Sequence, residues 1–153
     1  MSFSAEDHRW MERALVLAAM GRDEGEVPVG AVVVIHDACL GEAYNQPIRL
    51  CDATAHAEVL ALRKACQQAG NYRIPGATLY VTLEPCTMCV GALIHARISR
   101  LVFAASEPRA GALISARQLL SEGYYNHKFT YEGGLMAEAS RQMLSDFFRE
   151  RRR

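Results

Sequence analysis

The sequence predicts an α/β fold with helices on both faces of one sheet. Apolar residues at three- and four-residue steps alternate along the chain with short β-branched runs, and turn residues punctuate the boundaries. Length supports this: 153 residues, 50% hydrophobic and 22% charged, can build one core without disulfide staples and are not a disordered composition. No repeat, low-complexity tract or composition shift divides the chain, so residues 1–153 are expected to form a single domain.

Ser4 to about Glu24 reads as an amphipathic helix, with Trp10, Ala14 and Leu17 beside Met11 and Leu15, and Ser4 with Asp7 resembles a capping box. Val27 to Ile35 is a continuous valine-rich run, as in a strand covered on both faces. His36-Asp37 makes a turn into a second strand, Cys39 to Tyr44. Ala55 to about Ala69 is helical, with Val59, Leu62 and Cys66 on one stripe and Thr54 as candidate cap. Thr78 to Leu83 is a strand; Pro85 suits the first turn of a helix running to about Ala96. Ile98 to Ala104 is a further strand, Ser106 to Ser115 a loop, and Phe129 to Tyr131 a last short strand. Gly133-Gly134 then breaks the chain before a final helix from about Met136 to Arg151.

Seventeen basic residues balance seventeen acidic ones, which excludes a globally basic nucleic-acid binder but not a local basic patch. The first residues are polar, and no apolar run approaches the roughly 18 residues of a membrane span, so a cytoplasmic protein with no membrane partner is expected. In that compartment the five cysteines stay reduced, and metal binding by a subset is the better expectation than a disulfide framework.

Cys86 and Cys89 form a C-x-x-C at a helix start, where the helix dipole and free N–H groups favour thiolates. Alone, the motif fits a redox pair, half of a structural zinc site, or two core cysteines. His56 opens the preceding helix with Glu58 two residues on. Alone, His56 is an ordinary histidine and Glu58 an ordinary first-turn acid. Together the two helix starts would converge on one sheet edge, where α/β folds bind ligands. One histidine and two cysteines make three ligands and leave a fourth tetrahedral position for water, the open form of zinc. Glu58, projecting differently from His56, is poorly placed as a ligand and better suited to act as a base on that water.

His56-Ala57-Glu58 followed by Pro85-Cys86-x-x-Cys89 resembles the zinc-dependent cytidine and adenosine deaminase superfamily, whose signature has this form. More specifically, the chain resembles the bacterial tRNA-specific adenosine deaminases over nearly its whole length. The matching stretches are Gly25 to Val32, Tyr44 to Ile48, Thr54 to Glu58, Asn71-Tyr72-Arg73, Ala77 to Cys86, Asn126-His127 and Asp146 to Arg149. The resemblance implies a three-layer α/β/α sandwich around a mixed five-stranded sheet, and a homodimer. It implies one Zn²⁺ per chain held by His56, Cys86 and Cys89, with Glu58 as proton shuttle. The implied reaction is hydrolytic deamination of the wobble adenosine in a tRNA anticodon stem-loop, an arginine tRNA being expected. Zinc-activated water would attack C6 and ammonia would leave. Asn45, Pro28, Val29 and the loop after Phe103 are then expected around the base.

Departures from the family pattern bear on substrate selectivity rather than on the metal chemistry. Cys51 and Ala53 stand where His and Pro are more usual, Ser106-Glu107-Pro108 replaces a common Arg-Asp pair, and Leu113-Ile114 are bulky where small residues are usual. The chain ends Arg149-Glu150-Arg151-Arg152-Arg153, by itself a solvated helix end favoured by the dipole. Beside a deaminase site, Arg149, Arg151 and Arg152 are expected to grip RNA phosphates, with Phe148 supporting or stacking on a base. Two rivals remain: a deaminase of a free base or nucleoside such as guanine or cytidine, and a non-catalytic RNA binder whose zinc is closed by Cys51.

Overall fold

The Ser4 hydroxyl accepts from the Asp7 N–H while the Asp7 carboxylate accepts from the Ser4 N–H, each at 3.0 Å. This capping box opens α1 (Ala5–Asp23). In the computed structural model, which describes residues 3–123 and 125–152, the chain continues through β1 (Gly30–Ile35), β2 (Ala38–Tyr44), α2 (Pro47–Leu50) and α3 (Ala57–Ala69). Then follow β3 (Thr78–Leu83), α4 (Thr87–His95), β4 (Arg100–Ala105), a 3₁₀ turn at Leu119–Ser121, β5 (Thr130–Gly133) and α5 (Ala137–Arg151). Arg153 lies outside the described residues. No described helix is long and apolar enough to cross a membrane.

The strand order is β2-β1-β3-β4-β5. β1 runs antiparallel to β2 and β3, whereas β3, β4 and β5 are parallel, so the sheet is mixed, as expected. His36 and Asp37 both take positive φ (50° and 56°), the twist a two-residue hairpin requires. Alternate residues of the central strands feed two clusters. Ala31, Val33, Leu79, Val81, Leu101 and Phe103 pack with α3 and α4; Val32, Val34, Tyr80 and Val102 pack with Met11, Ala14 and Leu17 of α1. α5 joins the second side, where the Ser140 hydroxyl donates to the Thr82 carbonyl at 2.6 Å. Coverage of both faces explains the continuous apolar strands. Gly30 lets α1 cross directly over β1: a Cβ there would sit 2.0 Å from the Ala14 carbonyl oxygen.

Several boundaries differ from the sequence reading, each for a local reason. β1 begins at Gly30 rather than Val27, because the Val29 N–H turns back to the Val27 carbonyl (2.9 Å). Thr54 does not cap α3. Its hydroxyl and N–H both donate to Asp52, and His56 becomes the N-cap. Pro85 stands outside the first turn of α4, whose N-cap is Cys86. On α3, Leu62 is buried, but Val59 and Cys66 are only half-buried, and Ala57, Leu60, Ala61 and Ala65 form the fully covered face.

Buried Asp7 also joins α1 to the sheet. Its carboxylate accepts from the Tyr80 hydroxyl (2.7 Å) and from both Arg100 guanidinium nitrogens (2.9 and 3.0 Å). The Arg100 bonds hold the Asp7 carboxyl far below the ordinary carboxylate range, against the opposing effect of burial. A carboxyl lowered on folding contributes stability above its unfolded pKa of about 3.9 and loses it as pH falls below that. Asp7→Asn is therefore expected to lower unfolding free energy at pH 7 by about 2 kcal/mol. The difference from the parent should shrink between pH 4 and pH 2, as read by urea denaturation across that window. A gap independent of pH would assign the loss to capping and packing alone.

Candidate metal centre and active site

The ends of four strands build one edge. β1 starts there after Val29, β2 ends into Asn45, β3 ends at Leu83 and β4 at Ala105. The Asn45 N–H donates to the Val29 carbonyl (3.0 Å) and the Glu84 N–H to the Ala105 carbonyl (2.9 Å), so the edge continues beyond the ladder. α3 and α4 begin at this edge with His56 and Cys86 as N-caps, and neither side chain caps its own helix. Both are turned instead toward Cys89, in the first turn of α4. His56 Nδ1 lies 3.6 Å from Cys86 Sγ and 3.5 Å from Cys89 Sγ, and the three donor atoms sit within 4.8 Å of one another.

These separations test the site against zinc. Bond lengths of about 2.3 Å to sulfur and 2.0–2.1 Å to nitrogen, at a tetrahedral angle, put N and S about 3.6 Å apart. The observed distances match that edge. The protonation pattern agrees with it: hydrogen bonds from Cys89 and then His56 draw the Cys86 thiol down to about 4. Donating to Cys86, together with burial, pushes Cys89 up, and the bond to Cys86 raises His56. One thiolate is thus favoured already, and a metal would displace the remaining proton. Cys51 is not in the cluster. It is exposed at the left-handed end of α2, with its thiol toward the Ile48 carbonyl (3.8 Å), so among the described residues no third cysteine closes the site.

Beside the three donors lies a cavity of about 200 Å³ lined by Val27, Val29, Asn45, His56, Glu58, Leu83, Glu84, Cys86, Glu107 and Ala110. Glu58 is only 4% exposed, and burial pushes its carboxyl up to about 7 against the pull of its own backbone N–H. Asn45 and Val29 stand where the sequence places them. Pro28 does not line the cavity; it is buried, and Val27 takes its place on the wall, because the 27–29 turn rotates the proline away. Larger hollows lie elsewhere on the surface, but the metal donors face this one.

A profile for the cytidine and deoxycytidylate deaminase zinc-binding region matches residues 4–105. The chain is 47% identical over 148 residues to the tRNA-specific adenosine deaminase of Haemophilus influenzae, covering 95% of this chain and 85% of the relative. It is 43% identical to that of Agrobacterium fabrum, covering 97% of each.

The chain belongs to this deaminase family.

A solved structure from a study of A-to-I editing by tRNA:A34 deaminases at the wobble position superposes with a TM-score of 0.87 at 42% identity, covering 89% of the deaminase and 99% of that chain. A guanine deaminase from Bacillus subtilis matches with a TM-score of 0.62 at 41% identity, covering 64% of the deaminase and 63% of that chain.

The terminal arginines separate on the folded deaminase. Arg149 is paired with Asp146 one turn back and does not reach the site. Arg151 donates to the Gly25 carbonyl and lies over the Phe147 ring (4.8 Å). Phe147 is buried and Phe148 is 45% exposed, the division their adjacency predicts. Phe148, Arg151 and Arg152 line a groove with Arg109 and Glu107, and Glu107 is shared with the cavity beside the metal donors.

Two further buried acids, Glu26 just before cavity-lining Val27 and Glu84 in the cavity wall, received no role from the sequence. Glu26 accepts from the N–H groups of Ile48 (3.2 Å) and Arg49 (2.7 Å), holding α2 in place. Glu84 accepts from the 107–115 loop. The signal available was an acid embedded in a buried apolar stretch, which must find donors somewhere.

Proposed function

We propose that the deaminase converts adenosine to inosine at the wobble position of a tRNA anticodon, with an arginine tRNA as the acceptor and release of ammonia. The observation that carries this reading is adjacency: the cavity lined by Glu58, His56 and Cys86 shares Glu107 with the groove lined by Arg109, Arg151, Arg152 and Phe148. A free base needs the cavity; a nucleotide within RNA needs the groove as well. The 43–47% identity to the tRNA-acting relatives over nearly the whole chain supports the same choice.

Zinc held by His56, Cys86 and Cys89 would supply a Lewis acid that acidifies water. Glu58 holds and returns protons: it accepts one from the water that adds to C6 and passes it to a purine ring nitrogen, then takes the proton of the new C6 hydroxyl and delivers it to the amine as the C6–N bond breaks. Burial keeps that carboxyl away from bulk solvent. Asn45 presents an amide to the base edge, while Val27, Val29 and Leu83 exclude water around the ring. An anticodon loop is already unpaired, so delivering its adenine costs little. We further propose that the protein is cytoplasmic, where tRNA is modified, and works as a homodimer.

Incubation with a tRNA anticodon stem-loop should yield inosine, since an unpaired loop base can be splayed out for the chemistry. Deamination of free guanine or cytidine without inosine formation in RNA would overturn the proposal. Within this assay, replacing Arg109 and Arg152 by Ala should raise KM with little change in kcat, since both would touch phosphates in ground and transition states alike. Each lost phosphate contact should flatten the slope of log affinity against log salt by about 0.7. An unchanged slope would return the groove to ordinary solvated surface.

A further inference from the structure

Glu84 is 2% exposed and pairs with no cation among the described residues. Its compensation comes from one loop. Oε2 accepts from three consecutive N–H groups, Leu113 (3.2 Å), Ile114 (2.8 Å) and Ser115 (3.0 Å). Oε1 accepts from the Glu107 N–H (3.1 Å) and the Ser115 hydroxyl. Such a run of N–H groups is an anion-binding nest, here filled by the chain's own carboxylate. Gly111 presses against it: a Cβ there would lie 2.4 Å from the Glu84 carboxyl carbon. The Ala112 N–H adds a bond to the Pro85 carbonyl (2.9 Å), beside the metal-ligating Cys86.

We propose that Glu84 is a positioning residue that clamps the 107–115 loop shut as one wall of the deamination cavity, fixing substrate affinity rather than metal binding. This rests on the functional reading above. The loop supplies Glu107 and Ala110 to the cavity, and Glu107 with Arg109 to the groove, so its placement joins base pocket to RNA track. A carboxylate is required because all five contacts are donors. Glutamine can keep the three-donor nest on its carbonyl oxygen, but its amide then faces the Glu107 N–H, donor against donor. The wall loosens at Glu107, the residue shared by cavity and groove.

Glu84→Gln is expected to retain zinc and raise KM for the stem-loop about tenfold or more, the equivalent of one hydrogen bond to a charged group, with kcat within about threefold. Trypsin should cut after Arg109 at least about tenfold faster than in the parent, while cleavage elsewhere keeps the parental rate. Gly111→Ala, which displaces the carboxylate from the other side, should give the same split, and it stands in as the test if the glutamine variant does not fold. Parental KM and parental protection at Arg109 in the folded variants would overturn the proposal, as would loss of zinc with uniformly faster proteolysis, which would make Glu84 a determinant of the whole fold. A parent enzyme inactive on RNA would refute the functional reading and leave the proteolysis comparison standing.

Discussion

Glu58→Gln is expected to lose turnover by at least ~10²–10⁴-fold, the usual contribution of a general acid–base group, and by more if the same carboxyl serves every proton transfer. Glutamine keeps the volume and a carbonyl acceptor, so the buried pocket beside His56 should not collapse. It cannot take a proton at neutral pH, and among the residues lining the cavity the alternative carboxylates are Glu84, whose oxygens are filled by loop donors, and Glu107, which is shared with the neighbouring groove. Zinc content and stem-loop affinity should stay near parental values. Single-turnover inosine formation, with metal analysis and anisotropy titration of labelled RNA, measures all three. Activity within a few-fold of the parent would remove Glu58 from the chemistry.

Losing a zinc ligand should be as severe by another route. Cys86→Ser and His56→Ala each leave two of the three donors, and even outer-shell partners are worth about 10–100-fold in metal affinity. Both variants should be purified largely without zinc and without activity, whereas Cys51→Ala should carry one zinc per chain and remain active, since that thiol points away at the end of α2. Zinc loss in the Cys51 variant would restore the closed, structural site that the geometry argues against.

Elements whose periodicity reports burial were legible before the fold was known. β3 matches its expected limits because Thr78 to Leu83 is β-branched, aromatic and bounded by turn residues, and Ser4 declared its helix through Asp7. The clustering of His56, Cys86 and Cys89 was legible because these residue types are chemically distinctive. What stayed hidden was partnered by backbone. The donors that satisfy Glu84 are mostly N–H groups 23 to 31 residues away, and an N–H carries no residue identity. Thr54 misled because a hydroxyl that suits a cap suits Asp52 equally well. The arginines at the chain's end look alike in sequence. Helical rotation alone sends Arg149 to Asp146, Arg151 to Gly25 and Arg152 into the groove.

The mixed strand order has a bearing on where this molecule can be altered. Because β1 alone runs against β2, β3 and β4, the start of β1 and the ends of the other three meet at the same side of the sheet, where the cavity lies. The opposite rim holds the His36-Asp37 hairpin, Gly76 ahead of β3 and the Ser99 approach to β4, none of which lines the cavity or the groove. Inserted tags, fluorophores or fused partners have their natural attachment points along that rim, and variation among relatives can accumulate there without consulting the chemistry.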